Sequence, residues 1–95
     1  MKIHEAYKEK MALQLREWTA QINLLEARVG KASADLKVKR AEEICNLRAK
    51  QNAASEKMHE LEQASGEAWD QVKTTADKVW EDLKIGVASA QSKFK

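Results

Sequence analysis

No proline occurs in the 95 residues of this chain, and glycine occurs only three times. Average usage would supply roughly five prolines and seven glycines. Proline ends helices because it lacks the N–H and clashes with the preceding turn, so the usual punctuation of a globular chain is missing. Aromatic residues are few: three Trp, one Tyr and one Phe. Neither sign of charge dominates, with 17 basic and 15 acidic residues and a net charge of +2. A dedicated nucleic-acid binder needs a basic face, so no nucleic acid is expected as a partner. The single cysteine, Cys45, has no second thiol to pair with, and nothing marks an oxidising compartment. No apolar run approaches the roughly 20 residues of a membrane span. No secretory leader is read behind Met1, and a cytoplasmic location is the expectation.

What is present in quantity is Ala, Lys, Glu, Leu, Gln and Arg, the strong helix formers. Their arrangement is periodic. Met11, Leu15, Trp18, Ile22, Leu25, Val29, Ala32 and Leu36 alternate at spacings of four and three residues. That is a heptad seam, and a helix carrying one needs a neighbour to cover it. Ile3 and Tyr7 extend it towards the N-terminus. Residues 37–43 interrupt the seam, with only Val38 and Ala41 apolar. A second seam then runs through Ile44, Leu47, Gln51, Ala54, Met58 and Leu61. Gln51 and Ala54 are poor core residues, so this middle stretch is expected to pack loosely.

The last third has another period. Trp69 and Trp80 are 11 residues apart, as are Val72 and Leu83, Leu83 and Phe94, Ala68 and Val79, and Lys73, Lys84 and Lys95. Eleven residues are close to three helical turns, so the stripe stays on one face. That face is broad and aromatic: Ala68, Trp69, Val72, Ala76, Val79, Trp80, Leu83, Val87, Ala90 and Phe94.

Two turns are candidates. Ser65-Gly66 precedes Glu67 and Asp70, acids suited to the first turn of a helix. Gly30, followed by Ser33 and Asp35, offers a C-cap and an N-cap. The change of apolar pattern favours Ser65-Gly66. The chain is therefore read as all-α: a long heptad-type helix over residues 1–64, a turn or hinge at 65–66, and an amphipathic helix over 67–95. A lone helix of this length would leave its seams in water, where each large side chain forgoes roughly 1.5–3 kcal/mol of burial. A helical hairpin or an oligomeric coiled-coil bundle is the expected architecture, and a bent helical pair that also oligomerises is the specific expectation.

The chemistry-bearing residues are sparse. Glu56-Lys57-Met58-His59 has the Glu-x-x-His spacing of di-iron bundles. Such a site needs a second motif, and His4 has no glutamate three residues before it. An ordinary solvated face is the preferred reading. Cys45 reads as a buried or half-buried thiol, with an interchain disulfide or reactive thiol as the alternative. No phosphate loop and no catalytic grouping appears, so the chain is not expected to be an enzyme, and neither cofactor nor metal is expected.

The segment Ala64-Ser65-Gly66-Glu67-Ala68-Trp69-Asp70, with Lys78-Val79-Trp80-Glu81-Asp82-Leu83-Lys84 and Ser92-Lys93-Phe94-Lys95, resembles a family of small bacterial coiled-coil proteins described as stress-related. Tyr7…Leu15-x-x-Trp18 is similar as well, so the likeness spans most of the chain. It implies a helical bacterial protein and brings no catalytic residue with it.

The reading of function is thus a non-catalytic structural or interaction protein that docks on itself or on a larger protein complex. Its expected interface residues are Leu15, Trp18, Ile22, Leu25, Val29, Trp69, Val72, Val79, Trp80, Leu83 and Phe94, because large aromatics dominate interface energetics when buried centrally. The alternative is a peripheral protein whose residues 67–95 lie on a membrane surface. A small metal- or haem-binding bundle is the weaker third reading.

Overall fold

A computed structural model describes residues 2–94. The chain is all-α, with three helices in the order α1 (Lys2–Gly30), α2 (Ala34–Gln63) and α3 (Gly66–Lys93), and no strand among the described residues. Met1 and Lys95 lie outside those residues, so the third lysine of the 11-residue spacing is not placed. The helices pack side by side into a rod of 50 × 18 × 18 Å. α2 lies antiparallel to both neighbours, and α1 and α3 run in the same direction. Thr19 meets Gln51, and Arg40 meets Lys93. Tyr7 meets Asp77, and Met11 meets Trp80.

The long helix expected over 1–64 is two helices, so the chain forms a triple rather than a pair. The break falls at residues 31–33. Backbone bonds from Lys31 N–H to the Arg28 carbonyl (3.2 Å) and from Ala32 N–H to the Val29 carbonyl (3.0 Å) tighten the end of α1. Ser33 then adopts an extended conformation, and its hydroxyl accepts from the Leu36 N–H at 3.4 Å. This is the N-cap that the side-chain chemistry of serine favours. Gly30 is not a left-handed C-cap, since no described glycine has positive φ; it is simply the last helical residue. Near the expected turn at Ser65-Gly66 the break falls on Ala64-Ser65, and Gly66 is the first residue of α3. Ala64 and Ser65 are both extended, and the Ser65 carbonyl accepts from the N–H groups of Ala68 and Trp69.

Cutting the chain at 31–33 changes how its seams are used. Leu36 starts α2 instead of ending α1, and it is largely exposed. The gap at 37–43 is bridged by Arg40. Its guanidinium pairs with Glu43 at 3.0 Å, donates to the Lys93 carbonyl at 2.9 Å and lies over the Phe94 ring. The stem of an arginine covers apolar surface while its head stays wet, so Arg40 fills a position where the sequence showed no apolar residue.

The second seam is not loose. Ile44, Leu47, Ala54 and Leu61 are all buried, Ala54 and Leu61 completely. α2 is the middle helix and packs on both others, so even its small residues are covered from two sides. Gln51 serves the seam as a polar tie: its amide donates to the Thr19 hydroxyl at 2.8 Å and its carbonyl accepts from Arg48 at 2.8 Å. Arg48 in turn reaches Asn23 and Glu26 on α1.

In α3 the buried residues are Trp69, Ala76, Trp80, Leu83, Val87 and Ala90. Together with half-buried Lys73 and Phe94 they step by four and three residues, so the inward stripe of α3 follows the heptad rather than the 11-residue period. Val72 and Val79 are half-buried on its flank. A helix gripped by two neighbours buries a wider band than one seam, and the two periods overlap on that band.

Candidate interaction surfaces

Every expected interface residue belongs to the interior or its margin. Ile22, Leu25, Trp69, Trp80 and Leu83 are buried, and Leu15, Trp18, Val29, Val72, Val79 and Phe94 are half-buried against them. The helices of one chain therefore cover both seams. The aromatic face of 67–95, proposed above as a membrane-lying face, is turned into the bundle. No described helix is long and apolar enough to cross a membrane.

The aromatic residues gather between α1 and α3, the two helices that touch each other least. Trp80 donates its indole N–H to the Met11 carbonyl at 3.2 Å. His4 stacks on Trp69 with ring centroids 3.9 Å apart, and Tyr7 meets the same ring edge-on at 5.8 Å. His4 thus occupies the inward position that the sequence assigned to Ile3, which is 82% exposed. A groove of about 300 Å³ runs above this contact, with Tyr7, Met11, Trp18 and Trp80 along it and Lys10, Glu81 and Lys84 on its rims. Its charges alternate in sign and it has no enclosed floor, so it offers no cradle for a phosphate, a metal or a planar cofactor.

At one end of the groove the Tyr7 hydroxyl donates to Asp77, and the Lys73 ammonium lies 5.1 Å from the Tyr7 ring centre and 3.4 Å from the Asp77 carboxylate. Burial raises the Tyr7 pKa above its ordinary value, and the hydrogen bond to Asp77 and that residue's negative charge raise it further. The neutral phenol is the form favoured by folding, so this contribution is complete below the ordinary tyrosine value of about 10 and is lost as pH rises above it. Thermal melts of the native chain should therefore lose more stability above that pH than melts of Tyr7→Phe. Tyr7 is the one tyrosine in the chain. The folded protein should accordingly show its tyrosinate absorbance at higher pH than the urea-unfolded chain, and coincident titrations would refute the contact.

Glu56 and His59 lie exposed on α2, with a His59 ring nitrogen 3.1 Å from the Gln63 amide. The described residues contain no group of three or more His, Cys, Asp and Glu side chains able to hold a metal ion. Cys45 is exposed, not buried as its place beside Ile44 suggested. One residue is a rotation of 100° on a helix, and that step carries Cys45 off the seam.

The surface that the seam reading missed lies on the outside of α1. Ile3, Leu13 and Leu24 are 82%, 50% and 63% exposed. They share a heptad frame with Ala6, Ala20 and Ala27, all exposed. Lys10 and Glu17 complete it. For a helix of 3.6 residues per turn this stripe is centred about 140° from the buried one, so most of it faces away from α2 and α3, with Lys10 at the edge of the groove beside α3. Leu13 and Leu24 were the available signal: they stand off the inner seam at positions where a single-seam helix would carry charge. Comparison of the chain with protein-family models, with characterised proteins and with solved structures gave no match.

Proposed function

We propose that this protein is a non-catalytic helical interaction module that associates with itself through the outer face of α1. The observation that carries the reading is the second stripe of α1. A surface helix ordinarily needs one apolar face, and α1 has two: one buried in its own bundle and one exposed from Ile3 to Ala27. Scattered exposed leucines are normal, but here Ile3, Leu13 and Leu24 fall with Ala6, Ala20 and Ala27 on one exposed heptad frame, interrupted by Lys10 and Glu17. The absence of buried charged or polar residues among those described fits a protein built for packing. The resemblance of Ala64–Asp70 and Lys78–Lys84 to small bacterial coiled-coil proteins is compatible with a helical protein but brings no defined role.

Sedimentation equilibrium of the native chain over a wide concentration range tests this. The expected mass rises from that of one chain, 10.8 kDa, towards twice that value as concentration increases. Three large apolar side chains per copy set a weak pair, so dissociation on dilution is part of the expectation. A mass of one chain at every concentration into the millimolar range would overturn the proposal.

A further inference from the structure

We infer that two copies pair antiparallel along α1 about a two-fold axis between Leu13 and Glu17; this rests on the self-association proposed above. The stripe consists of Ile3, Ala6, Lys10, Leu13, Glu17, Ala20, Leu24 and Ala27, all exposed. Read backwards, its spacings of three and four residues superimpose on themselves. In antiparallel pairing Ile3 therefore lies level with Ala27 of the other copy, Ala6 with Leu24, Lys10 with Ala20, and Leu13 with Glu17. No stripe position is left over, and α1 (Lys2–Gly30) is used along nearly its whole length.

Charge decides the orientation. In a parallel, in-register pair each residue meets its own copy, so Lys10 faces Lys10 and Glu17 faces Glu17. Like charges opposed in this way are unfavourable. In the antiparallel pair Lys10 and Glu17 of the other copy lie on the same side of the contact, within about 5 Å of the same level. Symmetry makes this two ion pairs flanking the axis. Neither side chain takes part in an ion pair within the chain among the described residues, so both are available. Other antiparallel registers lose one of these features. Sliding by one heptad, so that Leu13 meets Leu24, moves Lys10 about 15 Å along the axis from Glu17 of the other copy and leaves Ile3 overhanging the end of α1.

Site-directed cross-linking tests the register separately from the association. The exposed native thiol is first removed as Cys45→Ser. Ala6→Cys and Leu24→Cys are then made as separate proteins, each at an exposed position of α1. Antiparallel pairing places position 6 level with position 24 of the other copy, while two copies of position 6 are about 27 Å apart along the helix. Under oxidation the mixture of the two proteins should give a disulfide-linked dimer, and neither protein alone should give one. Linkage of either protein with itself, or no linkage in the mixture while the native chain sediments as a dimer, would overturn the register and leave self-association standing. A monomeric native chain would overturn both. A charge exchange gives an independent readout: Lys10→Glu should weaken the dimer about tenfold, and Lys10→Glu with Glu17→Lys should restore it. A parallel pair would show no such restoration.

Discussion

Replacing Trp80 by alanine will cost about 3–5 kcal/mol of folding free energy, the range for removing a large aromatic from a packed core. Trp80 is 4% exposed and sits where α3 meets α1, with its indole N–H on the Met11 carbonyl. The pairings of Gly86 with Leu47 and of Arg40 with Lys93 place Ala53 of α2, next to buried Ala54, level with it. Alanine there removes the indole from the contact between α3 and α1 and leaves the Met11 carbonyl without its donor. A domain of this size has only about 5–15 kcal/mol of stability in total, so the variant should melt at least about 12 °C below the native chain. Trp80→Phe should fall between them, since it keeps most of the apolar bulk and loses only the indole donor. Thermal denaturation followed by helical circular dichroism measures both. A Trp80→Ala variant that melts with the native chain would mean that α3 is not packed as described.

The second large effect is expected at Leu61. The residue is fully buried near the C-terminal end of α2. Leu61→Ala should cost about 2–5 kcal/mol, readable as a shift of the urea midpoint at unchanged slope. The prediction bears directly on α2, whose own sequence announces little core. Its seam includes Gln51 and Ala54, and the composition of residues 37–43 is mostly charged. A loosely held α2 would tolerate the truncation. A middle helix covered from both sides would not.

Leu61 also shows why part of this fold is legible in the sequence and part is not. The all-α class follows from the missing proline and from the spacing of residues 11–29, and the turn at Ser65-Gly66 follows from the change of pattern beside it. Those are local signals. The turn at 31–33 has a weaker mark: Gly30 and Ser33 offer caps there, and Ser33 does serve as the N-cap, but the apolar seam runs on through Ala32 to Leu36 with no change of pattern. Once that turn is missed, Leu36 is assigned to the wrong helix and α2 becomes a tail of α1. The importance of α2 is then invisible, since it comes from being flanked on two sides and not from its own hydrophobicity. Arg40 is a similar case: only the nearby Phe94 and Glu43 make an arginine serve as packing.

The open face is hard to read from sequence for a related reason. Read as a pair of helices, the chain leaves the faces bearing Trp18, Trp69 and Trp80 uncovered. A third helix closes them. The face that remains open alternates apolar residues with Lys10 and Glu17, so it lacks the unbroken hydrophobicity that drew attention to the seams. Its signature is the joint exposure of Ile3, Leu13 and Leu24.

α1 thus carries an inner stripe that makes the fold and an outer, exposed stripe proposed to make the contact. The variant Leu13→Glu with Leu24→Glu separates the two most directly, when its mass and its melting curve are measured at concentrations where the native chain is dimeric. The expected result is a mass of one chain, 10.8 kDa, with helicity unchanged and a melting temperature matching that of the native chain under monomeric conditions. A variant that still forms dimers, or one that loses its helical structure, would contradict the division.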